Sequence, residues 1–359
     1  MASHDTIEVE RGRGAGLNMA SRFDQLSAEP VDDGWPEGDA PPPVRTEITI
    51  DRTRSILARN RSPDVPFDRS INPYRGCEHG CIYCFARPTH AHLGFSPGLD
   101  FETRLVVKPR AAELLAEAFR KPGYVVAPIA IGTNTDPYQP IERQHRIMRQ
   151  ILEVLWEHRH PVSITTKGGL IERDVDLLGR MGRAGLAQVA VSLTTLDNRL
   201  SRAMEPRCAA PGKRLSVMRA LSQAGVPVCV NTSPIIPALT DHEIERLLEA
   251  AAAAGATLAS YTTLRLPLEV APLFRDWLTR THPDRAARVM GRVREMHGGR
   301  DYDPAWGRRL KGEGVHAQLI ARRFKAATRR LGLGRREQPL RCDLFRIPPR
   351  AGDQLALGL

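Results

Sequence analysis

Through the middle of the chain, short apolar runs alternate with stretches of helical periodicity. Residues 125–131, 162–166, 188–193, 226–231 and 257–264 are rich in β-branched or apolar residues and bounded by glycine, proline or polar residues, the pattern of buried strands. Between them, residues 109–120, 141–158, 172–184, 213–224 and 241–254 read as helices. Asp241 is placed as an N-cap, and the alanine run 250–254 is a strong helix former ended by Gly255. Strict alternation of strands with helices of ~12 residues predicts βαβ units and a parallel sheet. A further short strand at 70–74 brings the count to about six units. The predicted class is therefore α/β, an open, partial (β/α)6 TIM-like barrel.

The flanks break this rhythm. Residues 1–45 hold glycine, proline and acidic residues with little periodicity, and are expected to be a disordered N-terminal segment. The barrel should occupy 46–270. Beyond it, 273–282, 283–296 and 316–331 look helical, giving a helical basic extension over 271–340 and a flexible tail over 341–359.

A parallel barrel presents its reactive groups at the C-terminal ends of its strands. Those ends carry Thr133, Asn134, Thr135 and Asp136 after the second strand, then Thr165, Thr166 and Lys167, then Ser192 and Thr194, then Asn231, Thr232 and Ser233. A lone threonine or asparagine there is commonly a helix cap. Four adjacent strand ends bearing such groups favour contact with a ligand.

The 359 residues hold 52 Lys and Arg against 41 Asp and Glu, a net charge of +11. Much of the excess crowds residues 322–336, where Arg322, Arg323, Lys325, Arg329, Arg330, Arg335 and Arg336 stand together. That block fits either phosphate binding or a solvated helix. No run near 18 apolar residues suggests a membrane span, and the N-terminus does not resemble a signal peptide. Six cysteines, three of them clustered, are not a secreted disulfide framework, so a reducing cytoplasm is the expected location.

Those three are Cys77, Cys81 and Cys84, spaced Cys-x3-Cys-x2-Cys with Tyr83 before the last. A [4Fe–4S] cluster normally takes a thiolate on each iron, so three thiols leave one iron open to a small ligand. The same spacing also marks one helix face, but Pro73, Gly76, Gly80 and Pro88 oppose a continuous helix. Zinc held by the thiolates with His79, His90 or His92 is the other alternative.

The cysteine motif resembles that of the radical S-adenosylmethionine (SAM) superfamily. Residues 70–100, with Asn72-Pro73-Tyr74-Arg75-Gly76-Cys77 and Cys84-Phe85-Ala86-Arg87-Pro88-Thr89-His90, resemble its spore photoproduct lyase-like (DNA repair photolyase-like) branch. Residues 132–139, Glu205-Pro206-Arg207 and Pro234-Ile235-Ile236-Pro237 extend the likeness over about 11–340, closest to uncharacterised bacterial members of that branch. The resemblance implies that Cys77, Cys81 and Cys84 hold the cluster and that SAM lies near Tyr83, Thr135, Lys167 and Ser192. It implies reductive cleavage of SAM to a 5′-deoxyadenosyl radical, with a flavodoxin- or ferredoxin-type electron donor.

One departure bears on the substrate. Where the lyase returns hydrogen from a cysteine at the end of its second strand, this chain has Thr133, whose O–H bond is far stronger than a thiol S–H. Photoproduct repair would then need Cys208 or Cys229 to approach, and Cys208, in a polar loop after Arg207, is the better candidate for a radical relay. The final residues 354–359 resemble a peptide that binds the bacterial sliding clamp, which would bring the protein to DNA. The leading reading is a radical SAM enzyme acting on a nucleic-acid, photolesion-like substrate. The alternatives are a radical SAM enzyme acting on a peptide, RNA or small metabolite, and a non-catalytic, metal-stabilised DNA-binding repair accessory.

Overall fold

Six parallel strands form the frame expected from the sequence. The structure, a computed structural model, describes residues 12–23, 45–334 and 339–347. Its strands run in the order β1 (Glu47–Ile50), β2 (Leu57–Arg59), β3 (Arg69–Ile71), β4 (Tyr74–Arg75), β5 (Arg104–Val107), β6 (Ile129–Ile131), β7 (Val162–Thr166), β8 (Ala187–Ser192), β9 (Val228–Ile235) and β10 (Leu258–Thr263). The main sheet has the order β10-β9-β8-β7-β6-β3-β2. All neighbours from β3 to β10 are parallel, and β2 adds an antiparallel edge on β3. A second small sheet pairs β1, β5 and β4.

Parallel strands covered by helices are buried on both faces and so read as apolar runs. Ile131, Ile164, Val189, Val191 and Val230 are buried in one core with Leu115, Ile151, Leu178, Leu221 and Leu248 of the surrounding helices. The strand predicted at 125–131 shortens to Ile129–Ile131, because Pro128 has no N–H for the ladder and Val125 faces solvent. The helix predicted at 141–158 breaks at Arg146, which is left-handed (φ 50°), into Glu142–His145 and Ile147–Glu157. The buried Glu142 carboxylate accepts the backbone N–H groups of Ile147 and Met148, which offsets the break. Asp241 caps no helix; its carboxylate pairs with His316 at 3.1 Å. Asp197 is a working N-cap instead, accepting from Arg199 and Leu200 at the start of Asn198–Met204. That helix is too short to announce itself by periodicity.

Two expectations about the flanks need correction. Residues 13–17, assigned to a disordered segment, are buried, because the Glu102 carboxylate accepts the N–H groups of Gly14 and Ala15 at 2.9 Å each. A buried acceptor distant in sequence leaves no periodic trace. Residues 341–347 of the predicted flexible tail also pack. Arg341 N donates to Gly185 O, Arg346 N to His158 O, and the Phe345 ring meets Phe119 and His160. The basic helix of the C-terminal extension, Gly314–Arg330, lies on the barrel helix Ile244–Ala253. It buries Ile320, Phe324 and Ala327, and spends Arg323 on Glu245 and Arg330 on Glu249. Arg322, Lys325 and Arg329 remain on its exposed side. Arg335, Arg336 and the clamp-like residues 354–359 lie outside the described residues. No helix among the described residues is long and apolar enough to cross a membrane.

Candidate functional site

The C-terminal ends of the barrel strands surround a cavity of about 680 Å³, within the range of small-molecule sites. Cys77, Cys81 and Cys84 all face it. They sit on a loop, not a helix: Gly76 and Gly80 have φ +73° and +65°, which glycine adopts without strain. A Cβ at Gly80 would also come within 2.6 Å of Glu102 Oε2. Behind the loop, the fully buried Arg87 donates to the carbonyls of Gly80, Cys81 and Gly98 and pairs with Glu102 at 2.5 Å. The loop is therefore held from below while its thiols face the cavity.

From β6 come Gly132, Thr133, Asn134 and Asp136; from β7, Thr165, Thr166 and Lys167; from β8, Ser192; from β9, Asn231 and Ser233. Gly132 has φ +86°, and a Cβ there would lie 2.0 Å from Thr165 O. We expect Gly132→Ala to cost at least ~1–3 kcal/mol from backbone strain alone. A thermal melt of the variant, compared with wild type, checks this.

Two buried polar networks support the cysteines. Asp136 faces His79 Nδ1 at 3.3 Å and accepts from Thr166 Oγ1 and Lys167 N, both at 2.6 Å. Burial works against its charge, yet His79 and these donors hold Asp136 at about 2. Burial likewise opposes the His79 cation, but Asp136 and the Cys77 thiolate keep its pKa well above the ordinary value. In the second network, Glu205 accepts from Tyr83 Oη, Arg214 and Thr194 Oγ1. Lys167 Nζ stands 5.8 Å from the centre of the Tyr83 ring. Burial disfavours its charge, yet Cys81 and Glu205 raise its pKa. Among the described residues its ammonium has no hydrogen-bond partner, so it is available to an anion in the cavity.

The thiols differ in setting. Cys84 is pushed up to about 12 by burial and by its neighbours Cys81 and Cys77. Cys81 is lowered to about 7, first by the Cys208 thiol 3.6 Å away, against burial, and then by the charge of Lys167. Cys84 thus feels the other two thiols of the loop, while Cys81 answers to Cys208 and Lys167.

Among the described residues no three His, Cys, Asp or Glu side chains converge on a single metal ion. Zinc bonded to sulfur at about 2.3 Å in a tetrahedron needs thiolates about 3.8 Å apart. Of its proposed histidines, His79 is shared between Asp136 and the Cys77 thiol, and His90 packs between Phe95 and Phe101 with both ring nitrogens unpartnered. Three thiols that share a cavity without converging suit a polynuclear cluster, in which each takes its own iron. The residues fit that group.

Of the sequence-predicted cofactor residues, Tyr83, Lys167 and Ser192 line the cavity with the three cysteines. Thr135 does not; it is buried and donates to Tyr74 O at 2.9 Å, leaving Thr133, Asn134 and Asp136 at the wall. Cys208 is absent from the lining and lies against Cys81 instead, and Cys229 contacts Ser260. Sequence reasoning missed the roof. The β2–β3 loop is clasped to residues 307–309, with Asp64 accepting from Gly307 N and pairing with Arg309. Asn60, Ser62, Arg265 and Tyr302 join the cavity wall there. A loop-to-loop ion pair 245 residues apart in sequence has no local signature.

The family model described as the radical SAM superfamily matches residues 71–251. Uncharacterised proteins of Mycobacterium tuberculosis and Mycobacterium bovis are 37% identical over 319 residues, covering 85% of this chain and 92% of theirs. A protein of Methanocaldococcus jannaschii is 29% identical over 173 residues, 48% of this chain and 62% of its own. Among solved structures, a variant of spore photoproduct lyase superposes with a TM-score of 0.54 at 16% identity, covering 79% of this chain and 77% of that one. The lyase complexed with dinucleoside spore photoproduct gives a TM-score of 0.50 over the same shares.

Proposed function

The chain belongs to the radical SAM superfamily, and on that basis we propose that it binds a [4Fe–4S] cluster on Cys77, Cys81 and Cys84, cleaves SAM reductively, and acts on a nucleic-acid component. The chemistry the cluster supplies when bound is one-electron cleavage of SAM, whose 5′-deoxyadenosyl radical takes hydrogen from the substrate. A soluble reductant of the flavodoxin or ferredoxin type would provide the electron. The observation that carries this reading is three thiols on one cavity wall at the C-terminal strand ends, with Tyr83, Lys167 and Ser192 beside them.

The chain's own residues bind and orient. Lys167 offers an unpartnered ammonium to the SAM carboxylate, as a point charge. Asn134 and Ser192 add neutral polar groups at neighbouring strand ends. Glu205 fixes the Tyr83 ring by accepting a hydrogen bond from its hydroxyl, leaving the ring face to the cavity wall. The nucleic-acid substrate class rests on analogy with the lyase's dinucleoside ligand and on the aromatic surface of Phe85 and Tyr83 in the wall. Among the described residues no thiol besides the three lines the cavity. Cys208 lies against Cys81 instead, off the cavity wall. Direct hydrogen return from a protein thiol, as in photoproduct repair, therefore gains no support from the cavity wall.

The test is anaerobic reconstitution followed by incubation with SAM, dithionite and UV-irradiated DNA, with mass spectrometry for 5′-deoxyadenosine and altered bases. Formation of 5′-deoxyadenosine supports the cofactor chemistry and excludes a non-catalytic accessory. Its absence from protein holding a full complement of iron would overturn the proposal. Separately, Lys167→Met is expected to weaken SAM binding roughly tenfold or more, the value of one charge-assisted contact, with iron content unchanged. Equilibrium titration of SAM checks it.

A further inference from the structure

The cavity has a second cation that the cofactor reading does not use. Arg265 follows β10 and lines the wall beside Phe85, its guanidinium carbon 4.1 Å from the centre of that ring. Among the described residues none of its N–H groups finds an acceptor and no carboxylate pairs with it. The neighbouring Arg309 is different, since Asp64 neutralises it. Burial lowers the Arg265 pKa; Tyr302 opposes that shift, the positive charge of Arg309 adds to it, and Cys84 and Asp64 oppose it more weakly. A half-buried guanidinium whose N–H groups lack an acceptor is costly, and a folded protein seldom keeps one unless something else completes it.

Geometry narrows what that is. Phe85 occupies one face of the guanidinium, which leaves its N–H edge for an anion presenting two oxygens, as a phosphodiester does with its non-bridging pair. Lys167 stands at the end of β7 against Tyr83, so the cavity carries separate cations against Tyr83 and against Phe85. Phe85 is 42% exposed and offers a stacking surface to a base next to the charge. We infer that Arg265 is the substrate's phosphate anchor, taking a phosphodiester of the nucleic-acid substrate while Lys167 serves SAM. This rests on the nucleic-acid reading above and names the group by which that substrate is held.

The test uses reconstituted protein with SAM present and two probes: a thymidine dinucleotide joined by a phosphodiester, and its uncharged methylphosphonate analogue. Binding of each is measured by calorimetric titration to wild type, Arg265→Gln and Arg265→Lys. The expected result is a roughly ten- to hundredfold preference of wild type for the charged probe. Arg265→Gln should lose that preference, and Arg265→Lys should keep part of it. SAM affinity, measured on the same samples, should follow wild type in both variants, which also shows that they fold. A preference that persists in Arg265→Gln overturns the anchor and leaves the nucleic-acid reading standing. Loss of SAM affinity in Arg265→Gln would instead assign the guanidinium to the cofactor. If neither probe binds wild type while 5′-deoxyadenosine still forms, the substrate class fails together with the anchor, and the cofactor chemistry survives.

Discussion

Alanine at Cys77, Cys81 or Cys84 is expected to give folded protein that, after anaerobic reconstitution, holds little iron and makes no 5′-deoxyadenosine from SAM. In the proposed site each thiolate would take one iron, so the loss of any one would remove a third of the protein's hold on the group. The loop itself should survive. Arg87, Glu102 and the Cys77 N–H to Phe101 O bond hold it without help from sulfur. Cys208→Ala separates ligand from neighbour. Its sulfur lies 3.6 Å from that of Cys81 but off the cavity wall, so this variant should keep its iron. With a hydrogen bond to a ligand sulfur gone, its cluster should have a lower reduction potential. Iron and sulfide analysis and a redox titration read both effects. Iron loss in Cys208→Ala equal to that in Cys81→Ala would mean that the ligand set has been misassigned.

What could be read in the sequence follows from how locally each feature is encoded. The strand Val162–Thr166 and the helix Pro283–Met296 appear at their expected bounds because their patterns are complete within themselves. The three cysteines are legible for the same reason. Thr135 and Thr133 show the limit. Both follow β6 and both carry a hydroxyl, but backbone direction turns Thr135 onto Tyr74 O and leaves Thr133 at the wall. A likeness of position cannot show which way a side chain turns. Glu205 shows another limit, since Arg207, two residues on, is the charged partner nearest to it in sequence. The structure pairs it with Arg214 and Tyr83, and pairs Arg207 with Glu78 instead.

The same distinction explains why the floor of the site was legible and its roof was not. The floor is made by strand ends whose order is fixed by alternation along the chain. The roof is made by loops that meet through Asp64 and Arg309 and through the Thr263 N to Leu310 O bond. An open barrel of six strands leaves a gap that something must cover, and the C-terminal extension supplies that cover from a region with no strand pattern. Arg265 belongs to the junction of the two, which is why a reading of strand ends that stopped at β9 missed it.

The second large effect is expected from Glu102→Ala. Both partners of the Arg87–Glu102 pair are completely buried, and removing one partner of such a pair costs about 3–5 kcal/mol because the other charge is left uncompensated. Here Gly14 N and Ala15 N lose their acceptor too. For a chain of this size the melting temperature should fall on the order of 10 °C. The loss should also be directional. Residues 12–23 pack over the cysteine loop, with a Cβ at Gly14 only 1.8 Å from Gly80 O, so their release uncovers that loop. Trypsin should then cut at Arg13 or Arg22 in the variant under conditions that spare wild type. Replacing both charges, Arg87→Met with Glu102→Leu, should recover part of the melting temperature, since no lone charge remains. It should not recover trypsin resistance, since the N–H groups of Gly14 and Ala15 still lack an acceptor. If the double variant regained both, the N-terminal segment would be held by packing alone, and Glu102 would serve only to neutralise Arg87.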